Sequence, residues 1–286
     1  AYRNLRKKVS VDYNVEIKKI KTMGFSAMMH GYLAFDKNNE LLVPFRTWRN
    51  AITKEASLEL TKLFEFNIPQ RWSVAHLYQA ILNQETHVKN IEFLTTLAGY
   101  VHWQLTDQKV IGIGDASGMF PIDEKTGSYS QRMLSQFDSL KSVQQYNWYI
   151  QDLLPKPLTA GEVGGYLTEK GARLLDPSGN LSAGATIAPP EGDAGTGMVS
   201  TNSVKKRSGN ISVGTSIFSM IVLEKSLQHV YTNIDIVTTP TGSPVAMVHA
   251  NNSASDLSAW VKLFSQFSKM IGSTISTSEL YQALFN

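Results

Sequence analysis

The carboxylate of Asp193 has the setting in this sequence that most directly indicates chemistry. It lies in PPEGDAGTGMVSTNS, residues 189–203, where two prolines precede it and small residues follow. Small residues favour a helix whose first turn can be approached closely, and exposed amides there attract anions. A carboxylate at that place can take a proton from a substrate hydroxyl, so the segment suggests phosphoryl transfer from a nucleotide to an alcohol. The competing interpretation is an N-terminal cap, in which Asp193 only accepts hydrogen bonds from helix amides.

A second candidate site is the turn made by Gly214, Thr215 and Ser216, which lies between two β-rich runs in GNISVGTSIF, residues 209–218. The amides and hydroxyls of a tight turn can bind phosphate oxygens. An ordinary hairpin turn explains the same pattern. Because the sequence contains no GK[ST] motif, a phosphate site here would differ from a Walker loop.

Several other chemistries are disfavoured. The chain has no cysteine, which excludes disulfides, thiolate metal sites and cysteine nucleophiles. Its six histidines form no HExxH or similar pattern, which argues against metal-dependent hydrolysis. The run GIGDASG at 112–118 departs from the GxGxxG pattern, which argues against a dinucleotide-dependent oxidoreductase.

Charge and hydropathy limit the partners of the protein. The 27 basic and 24 acidic residues are scattered and leave a net charge of +3, so we expect no nucleic-acid partner. No apolar stretch approaches the roughly 20 residues that span a bilayer, and no signal peptide is recognisable, so we expect no membrane association. The absence of cysteine fits a cytoplasmic protein.

The elements that would position these residues indicate an α/β fold, with a helix already in progress at Ala1. Short strands are expected over 17–25 and 31–35, on either side of the loop SAMMHG at 26–31. Helices are predicted over 53–66, 73–88 and 90–103, the second capped by Ser73. The Gly- and Pro-rich region 155–190 is interpreted as strands and turns.

The character of the sequence changes near Val204. NISVGTS and IFSMIVLEK are typical of consecutive strands, and DIVTTPTGSPVAMVHA of a hairpin around a Gly/Pro turn. Two helical patterns, 255–270 and 277–285, follow. We therefore predict two domains, residues 1–203 and 204–286.

Taken in order, six segments of the sequence resemble the FGGY carbohydrate kinases, and the xylulokinase-like members above all. The segments are SAMMHG (26–31), VPFRTWRN (43–50), LTDQKVIGIGDASGMFPID (105–123), GYLTEKGARLLDPSGNL (165–181), APPEGDAGTGM (188–198) and GNISVGTS (209–216). Their spacing matches that family over essentially the whole chain. The resemblance implies an actin-like (ribonuclease H-like) α/β fold of two domains around a cleft, and transfer of phosphate from ATP, with Mg²⁺, to a sugar hydroxyl.

The resemblance also implies a role for each matching residue. Asp193 would be the general base, and Gly214, Thr215 and Ser216 would contact the terminal phosphates of ATP. Met29 and His30 match a pair that touches sugar hydroxyls, and Trp48 matches a tryptophan that packs against the apolar face of the sugar. Without the resemblance, His30 is equally explained as a loop histidine with local hydrogen bonds, and Trp48 as ordinary core packing. The segment Asp115–Ala116–Ser117 would be mainly architectural.

Two departures from the family pattern leave the substrate open. Arg49 and Asn50 stand where many relatives have Asn-Asp, and Ala194 stands where many have Asn or Gln. A ketopentose such as xylulose or ribulose is the leading expectation. An aldonate or polyol also fits, and Arg49 would favour a carboxylated sugar.

The resemblance further suggests that the chain is a fragment truncated at both ends. Residues 1–12 lack the family's D-x-G-T/S phosphate loop, and no adenosine-binding Gly-rich segment follows the predicted second domain. We therefore expect negligible kinase activity from the chain alone, and marginal or oligomeric folding, including a homodimer. A non-catalytic sugar-binding module is the alternative function.

Overall fold

Helices alternate with short strands through residues 2–214, 216–250 and 252–285, which the computed structural model describes. The α-helices in this part of the chain are α1 (Tyr2–Tyr13), α2 (Lys54–Phe64), α3 (Ser73–Leu82), α4 (Leu97–Thr106), α5 (Ile113–Ala116), α6 (Gln131–Asp138), α7 (Ile150–Leu153), α8 (Glu169–Leu175), α9 (Asp193–Ser200), α10 (Ala254–Met270) and α11 (Thr277–Phe285). The strands are β1 (Thr22–Met23), β2 (Ser26–Ala27), β3 (Leu33–Phe35), β4 (Phe93–Thr95), β5 (Val110–Gly112), β6 (Ile122–Asp123), β7 (Ser128–Tyr129), β8 (Lys156–Leu158), β9 (Gly165–Tyr166), β10 (Thr186–Ile187), β11 (Glu191–Gly192), β12 (Gly209–Val213), β13 (Ile217–Val222), β14 (Asp235–Thr238) and β15 (Pro244–Ala250). This composition confirms the predicted α/β class.

Short parallel pairs join distant parts of the chain. Strand β2 pairs with β11 in parallel, with Ala27 opposite Gly192, and β5 pairs with β8 in the same sense. A further bond from the amide of Gly112 to the carbonyl of Pro190 (2.7 Å) ties β5 to the segment that enters β11. The carboxyl ends of β2 and β11 therefore meet at one place, and the residues that follow them are neighbours.

The largest sheet is antiparallel and lies in the C-terminal part of the chain, with strand order β12-β13-β15-β14. The hairpin predicted between residues 235 and 250 is confirmed, since β14 pairs with β15 and places Asp235 opposite Met247. The predicted helices at 255–270 and 277–285 correspond to α10 and α11.

The helix predicted over 90–103 is wrong in its first half. Residues Phe93–Thr95 form β4, which pairs antiparallel with β3 and is buried along its whole length. Helix α4 begins only at Leu97, because Thr96 caps it by accepting a hydrogen bond from the amide of Gly99. The apolar run Phe93–Thr95 has a helical spacing, but it forms a strand because pairing with β3 buries it on both faces.

Three local predictions also need correction. The strand expected over 17–25 is confined to Thr22–Met23, while Ser26–Ala27, placed in a loop, forms β2. Ser73 does not cap α3: the capping position is Trp72, and the Ser73 hydroxyl donates to the carbonyl of Gly31 at 2.5 Å. The region 155–190 contains helix α8, because Thr168 supplies an N-terminal cap by accepting from the amide of Gly171.

A single buried cluster joins the two predicted domains. Met29, Ala194 and Met198 belong to the same hydrophobic core as Met220 and Met247 of the antiparallel sheet. The boundary near residue 204 stays a prediction. Across the described ranges, none of the helices combines the length and apolar character needed to cross a membrane.

Candidate active site

Asp193 is held where the ends of β2 and β11 meet. Its Oδ1 atom accepts a hydrogen bond from the backbone amide of Met29 at 3.0 Å and another from the amide of Ala194 at 3.0 Å. Within the described residues, Oδ2 accepts no hydrogen bond, and the residue is exposed to solvent. One carboxylate oxygen is therefore fixed by two amides, while the other is available to a ligand.

The interpretation of Asp193 as a simple helix cap does not describe this arrangement. The capping position of α9 is Gly192, and Asp193 is the first residue of the helix itself. The amide of Met29 comes from a strand end 164 residues earlier in the chain. The carboxylate is thus positioned by tertiary structure as well as by its own helix.

A cavity of about 110 Å³ lies beside the Asp193 carboxylate. The side chains that line it come from both ends of the chain. They are Met29, His30, Trp48, Arg71, Asp193, Ala194, Ser216, Phe218, Met247 and His249. Five of the residues selected from the sequence, Met29, His30, Trp48, Asp193 and Ser216, are therefore brought together.

His30 is a neutral hydrogen-bonding residue in this wall. Its Nδ1 lies 3.3 Å from the carbonyl oxygen of Gly118, and because a carbonyl only accepts, Nδ1 is the donor. Burial, and secondarily the nearby Arg71 guanidinium, hold the pKa of His30 well below its ordinary value. The neutral ring then carries its acceptor at Nε2, as recognition of a hydroxyl group requires.

Trp48 lines the cavity, and Arg49 packs against it. The Trp48 ring meets the His249 ring edge to face, with 5.9 Å between their centroids. The Arg49 guanidinium stacks over the Trp48 ring, 4.9 Å from the ring centre. Arg49 itself lines the adjoining groove of about 670 Å³ rather than the cavity.

The predicted phosphate turn is only partly described. Thr215 lies outside the described residues, so its predicted contact is neither supported nor opposed. Ser216 lines both the cavity and the groove, whereas the amide of Gly214 donates to the Ser216 carbonyl at 2.9 Å. That amide is already used within the turn. Phosphate binding by residues 214–216 stays a prediction.

Two buried carboxyl groups lie beneath the site. Glu191 accepts hydrogen bonds from the amides of Gly114 (3.1 Å) and Asp115 (3.0 Å), and Asp115 accepts one from the Thr96 hydroxyl (2.6 Å). Burial is the main cause that raises the pKa of Asp115 well above its ordinary value and the pKa of Glu191 to about 7. Neither residue lines the cavity.

Ser117 ties the same region to the antiparallel sheet. Its hydroxyl donates to the carbonyl of Gly114 at 2.6 Å and accepts from the amide of Thr238 at 3.0 Å. These contacts fit the architectural role expected for residues 115–117.

The sequence did not identify Arg71 or the residues of the antiparallel sheet that complete the cavity. Arg71 forms an ion pair with Asp235, and the Asn67 side-chain amide donates to the same carboxylate at 3.0 Å. The one available signal was an arginine placed directly before the apolar run of α3. Phe218, Met247 and His249 alternate along strands as any core residues do, so nothing in their pattern marked them.

Comparisons with known proteins agree on one family. The sequence model for the "FGGY family of carbohydrate kinases, N-terminal domain" matches residues 2–178. No curated protein gives a significant match.

Solved structures show the same fold at low sequence identity. They include a "xyloylose kinase" from Brucella ovis (TM-score 0.74, 18% identity, covering 96% of this chain and 54% of that one). They also include a xylulose kinase (0.72, 14%, 91% and 52%) and a gluconate kinase (0.69, 14%, 88% and 50%) from Lactobacillus acidophilus. The chain spans about half the length of these kinases. Its fold is the actin-like ATPase fold that such kinases share.

Proposed function

Because this chain belongs to the FGGY family of carbohydrate kinases, we propose that it transfers the terminal phosphate of ATP to a sugar hydroxyl, with Asp193 as the general base. The observation that supports the proposal most directly is the geometry of Asp193. Two amides hold its Oδ1, its Oδ2 is open, and it borders a cavity that Met29, His30 and Trp48 also line.

Different residues of the cavity would bind different parts of the sugar. Trp48 offers an aromatic surface to the apolar face of a sugar ring or chain, while neutral His30 accepts from a hydroxyl. The amides of Met29 and Ala194 fix the Asp193 carboxylate, so it loses little freedom when a hydroxyl binds to Oδ2.

In the chemical step, Asp193 Oδ2 would take the proton of the bound hydroxyl as its oxygen bonds to phosphorus and the bond to the leaving diphosphate breaks. ATP supplies the phosphoryl group and Mg²⁺ neutralises its charge. Among the described residues, no group of three or more His, Cys, Asp or Glu side chains is arranged to hold a metal ion. The ion would therefore be carried mainly by the phosphates, as Mg²⁺ commonly is.

On the family likeness alone, a ketopentose such as xylulose or ribulose is the first candidate for the substrate. Its support is that two of the structures with the same fold are xylulose kinases by name. One of these structures is a gluconate kinase by name, so a sugar acid is the alternative class of substrate. A non-catalytic sugar-binding module is the second candidate, because Met29, His30 and Trp48 line one cavity while the Gly214 amide is engaged with Ser216.

Because negligible activity is expected from this chain alone, the test is made on the full-length protein: it measures ATP consumption with a panel of ketopentoses, polyols and sugar acids, together with sugar binding by calorimetry. Asp193→Asn should lower turnover by about 10²–10⁴-fold and change sugar affinity only slightly. Asp152→Asn is a matched control, since Asp152 is an exposed carboxylate in the first turn of α7 that lines neither the cavity nor the groove. Turnover unchanged in Asp193→Asn would reject the assignment of the base, and binding without turnover on every sugar would favour the binding module.

A further inference from the structure

Arg71 lines the site but has no role in the reaction proposed above. It follows Pro69 and Gln70 directly before α3, and it lines both the Asp193 cavity and the adjoining groove. Its side chain is 17% exposed, so it is largely removed from solvent yet bounds both spaces. Burying a guanidinium is costly unless its charge and its N–H groups find partners.

The ion pair with Asp235 satisfies only one end of the guanidinium. Nη2 of Arg71 contacts Oδ2 of Asp235, whose other oxygen accepts from Asn67 at 3.0 Å. Within residues 2–214, 216–250 and 252–285, Nε and Nη1 of Arg71 make no hydrogen bond to side chains or backbone. A guanidinium has five N–H donors, so several are left for a ligand.

Positive charge is in excess on the groove side of Arg71. The charged residues that line the groove are Arg49, Arg71 and Asp235, two arginines for one carboxylate, whereas the cavity adds the carboxylate of Asp193. Arg49 is exposed, stacks on Trp48, and forms no ion pair within the described residues. Burial first, and the Arg71 charge second, lower the pKa of His249, as they do for His30, so both rings are neutral at neutral pH. The groove lining therefore carries one more positive than negative side chain, and a bound anion would balance it.

On these grounds we propose that the substrate is a sugar acid, whose carboxylate binds to Arg71 at the junction of cavity and groove while a hydroxyl faces Asp193. The inference rests on the proposed kinase function and deepens it. A carboxylate matches the planar fork of a guanidinium and can accept two N–H bonds at once. A neutral sugar offers only single hydroxyl acceptors to the same donors and leaves the excess charge unbalanced.

A purely structural ion pair is the competing explanation, and the chain contains a suitable reference for it. Arg46 pairs with Glu85 in a similarly buried setting, with side-chain exposures of 15% and 24%, and neither residue lines the cavity or the groove. A substitution at Arg46 therefore reports what the loss of such a pair does to stability alone.

The test compares sugar acids with neutral sugars of the same carbon skeleton. Calorimetry is run without ATP on aldonates and uronates and on the matching ketoses and polyols. The variants are Arg71→Lys, the double variant Arg71→Gln with Asp235→Asn, and Arg46→Lys as control. The double variant replaces both charges together, so Asp235 is not left buried without a partner. Thermal unfolding of each variant verifies that it is folded.

We expect a sugar acid to bind the unsubstituted protein at least about 10-fold more tightly than its neutral counterpart. The double variant should lose about 10- to 100-fold in affinity for the acid with little change for the neutral sugar, since charge-assisted hydrogen bonds are lost. Arg71→Lys should give an intermediate loss, and Arg46→Lys none. Raised salt should weaken binding of the acid and not of the neutral sugar.

Two results would overturn the inference: preference for a neutral sugar in the unsubstituted protein, or equal losses for acid and neutral sugar in the double variant. Failure of the kinase proposal is distinguishable, because ATP consumption is measured separately. Selective binding of an acid without turnover would keep the anion site and reject the reaction. Turnover on a neutral ketose with no binding of acids would keep the kinase reaction and reject the anion site.

Discussion

The backbone amide of Met29 donates a hydrogen bond to Oδ1 of Asp193, with 3.0 Å between nitrogen and oxygen. This bond places a residue of the loop after β2 in direct contact with the first residue of α9. Because it fixes Oδ1 of the carboxylate, it also sets the direction in which Oδ2 points. The orientation of the proposed base therefore depends on the packing of Met29.

We predict that Gly192→Ala damages the site through Met29. A Cβ atom at residue 192 would lie 2.9 Å from both Cβ and Cγ of Met29 and 3.2 Å from Oδ1 of Asp115. Met29 must then shift and weaken its bond to Asp193, and turnover should fall about 10- to 100-fold. Steady-state kinetics measure the loss. Gly197→Ala in the adjoining helix α9 is the control, because its Cβ would meet only Asn210 Nδ2, at 4.0 Å, and turnover there should be unchanged.

We predict that Ser73→Ala destabilises the turn that carries His30. The buried Ser73 hydroxyl donates to the Gly31 carbonyl at 2.5 Å, and Gly31 has a positive φ of 111°. Removing the donor leaves that carbonyl without its partner and should lower the free energy of unfolding by about 1–3 kcal/mol. Denaturant titration measures the change. An unchanged free energy of unfolding would show that water or another donor replaces the hydroxyl.

The pH dependence of stability should carry a contribution from Glu191. Its pKa in the folded protein is raised from 4.5 to about 7, mainly by burial, so the folded state binds this proton more tightly than the unfolded chain. The Glu191 contribution to stability is complete below pH 4.5 and is lost as the pH rises to about 7. At about 1.4 kcal/mol for each pH unit, the loss reaches about 3 kcal/mol.

The variant Glu191→Gln isolates that contribution. Its amide nitrogen would face a backbone N–H, so the variant should be less stable at every pH, by the largest margin in acid. Chemical unfolding from pH 4.5 to 7.5 should show a flatter profile for the variant than for the unsubstituted protein. Parallel profiles would mean that Glu191 does not titrate in this range.

We predict that Trp48→Ala weakens sugar binding about 10-fold, because the aromatic wall of the cavity and the stacking partner of Arg49 are both lost. Trp48→Phe keeps an aromatic face and should stay within about threefold of the unsubstituted protein. Calorimetry measures both. Trp260→Ala, at an exposed position of α10 that does not line the cavity, is the control. Equal affinities for the Ala and Phe variants would exclude a role for the aromatic ring.

The sequence identified the parts of the site that carry distinctive local chemistry, and it missed those that depend on tertiary pairing. Asp193 among glycines and the Met29–His30 pair were recognisable from their segments, and the structure places them around one cavity. Arg71 was not recognised, because its importance comes from Asp235, which is 164 residues away in the chain.

The same distinction applies to the fold. The hairpin of β14 and β15 was predictable because its turn and its alternation are local. Strand β4 was not, because Phe93–Thr95 has a helical spacing that is overruled by pairing with β3. Ser73 likewise has the composition of a cap but donates to Gly31, a partner that sequence spacing cannot reveal.

The parallel pairing of β2 with β11 also has a kinetic consequence. Residues 29 and 193 come into contact only when the 164-residue loop between them closes during folding. Closing so long a loop is slow and costs conformational entropy. During refolding, the ability to bind a sugar should therefore appear late, after helical signals have recovered. The time course of sugar binding during refolding would therefore report the last step of folding rather than early collapse.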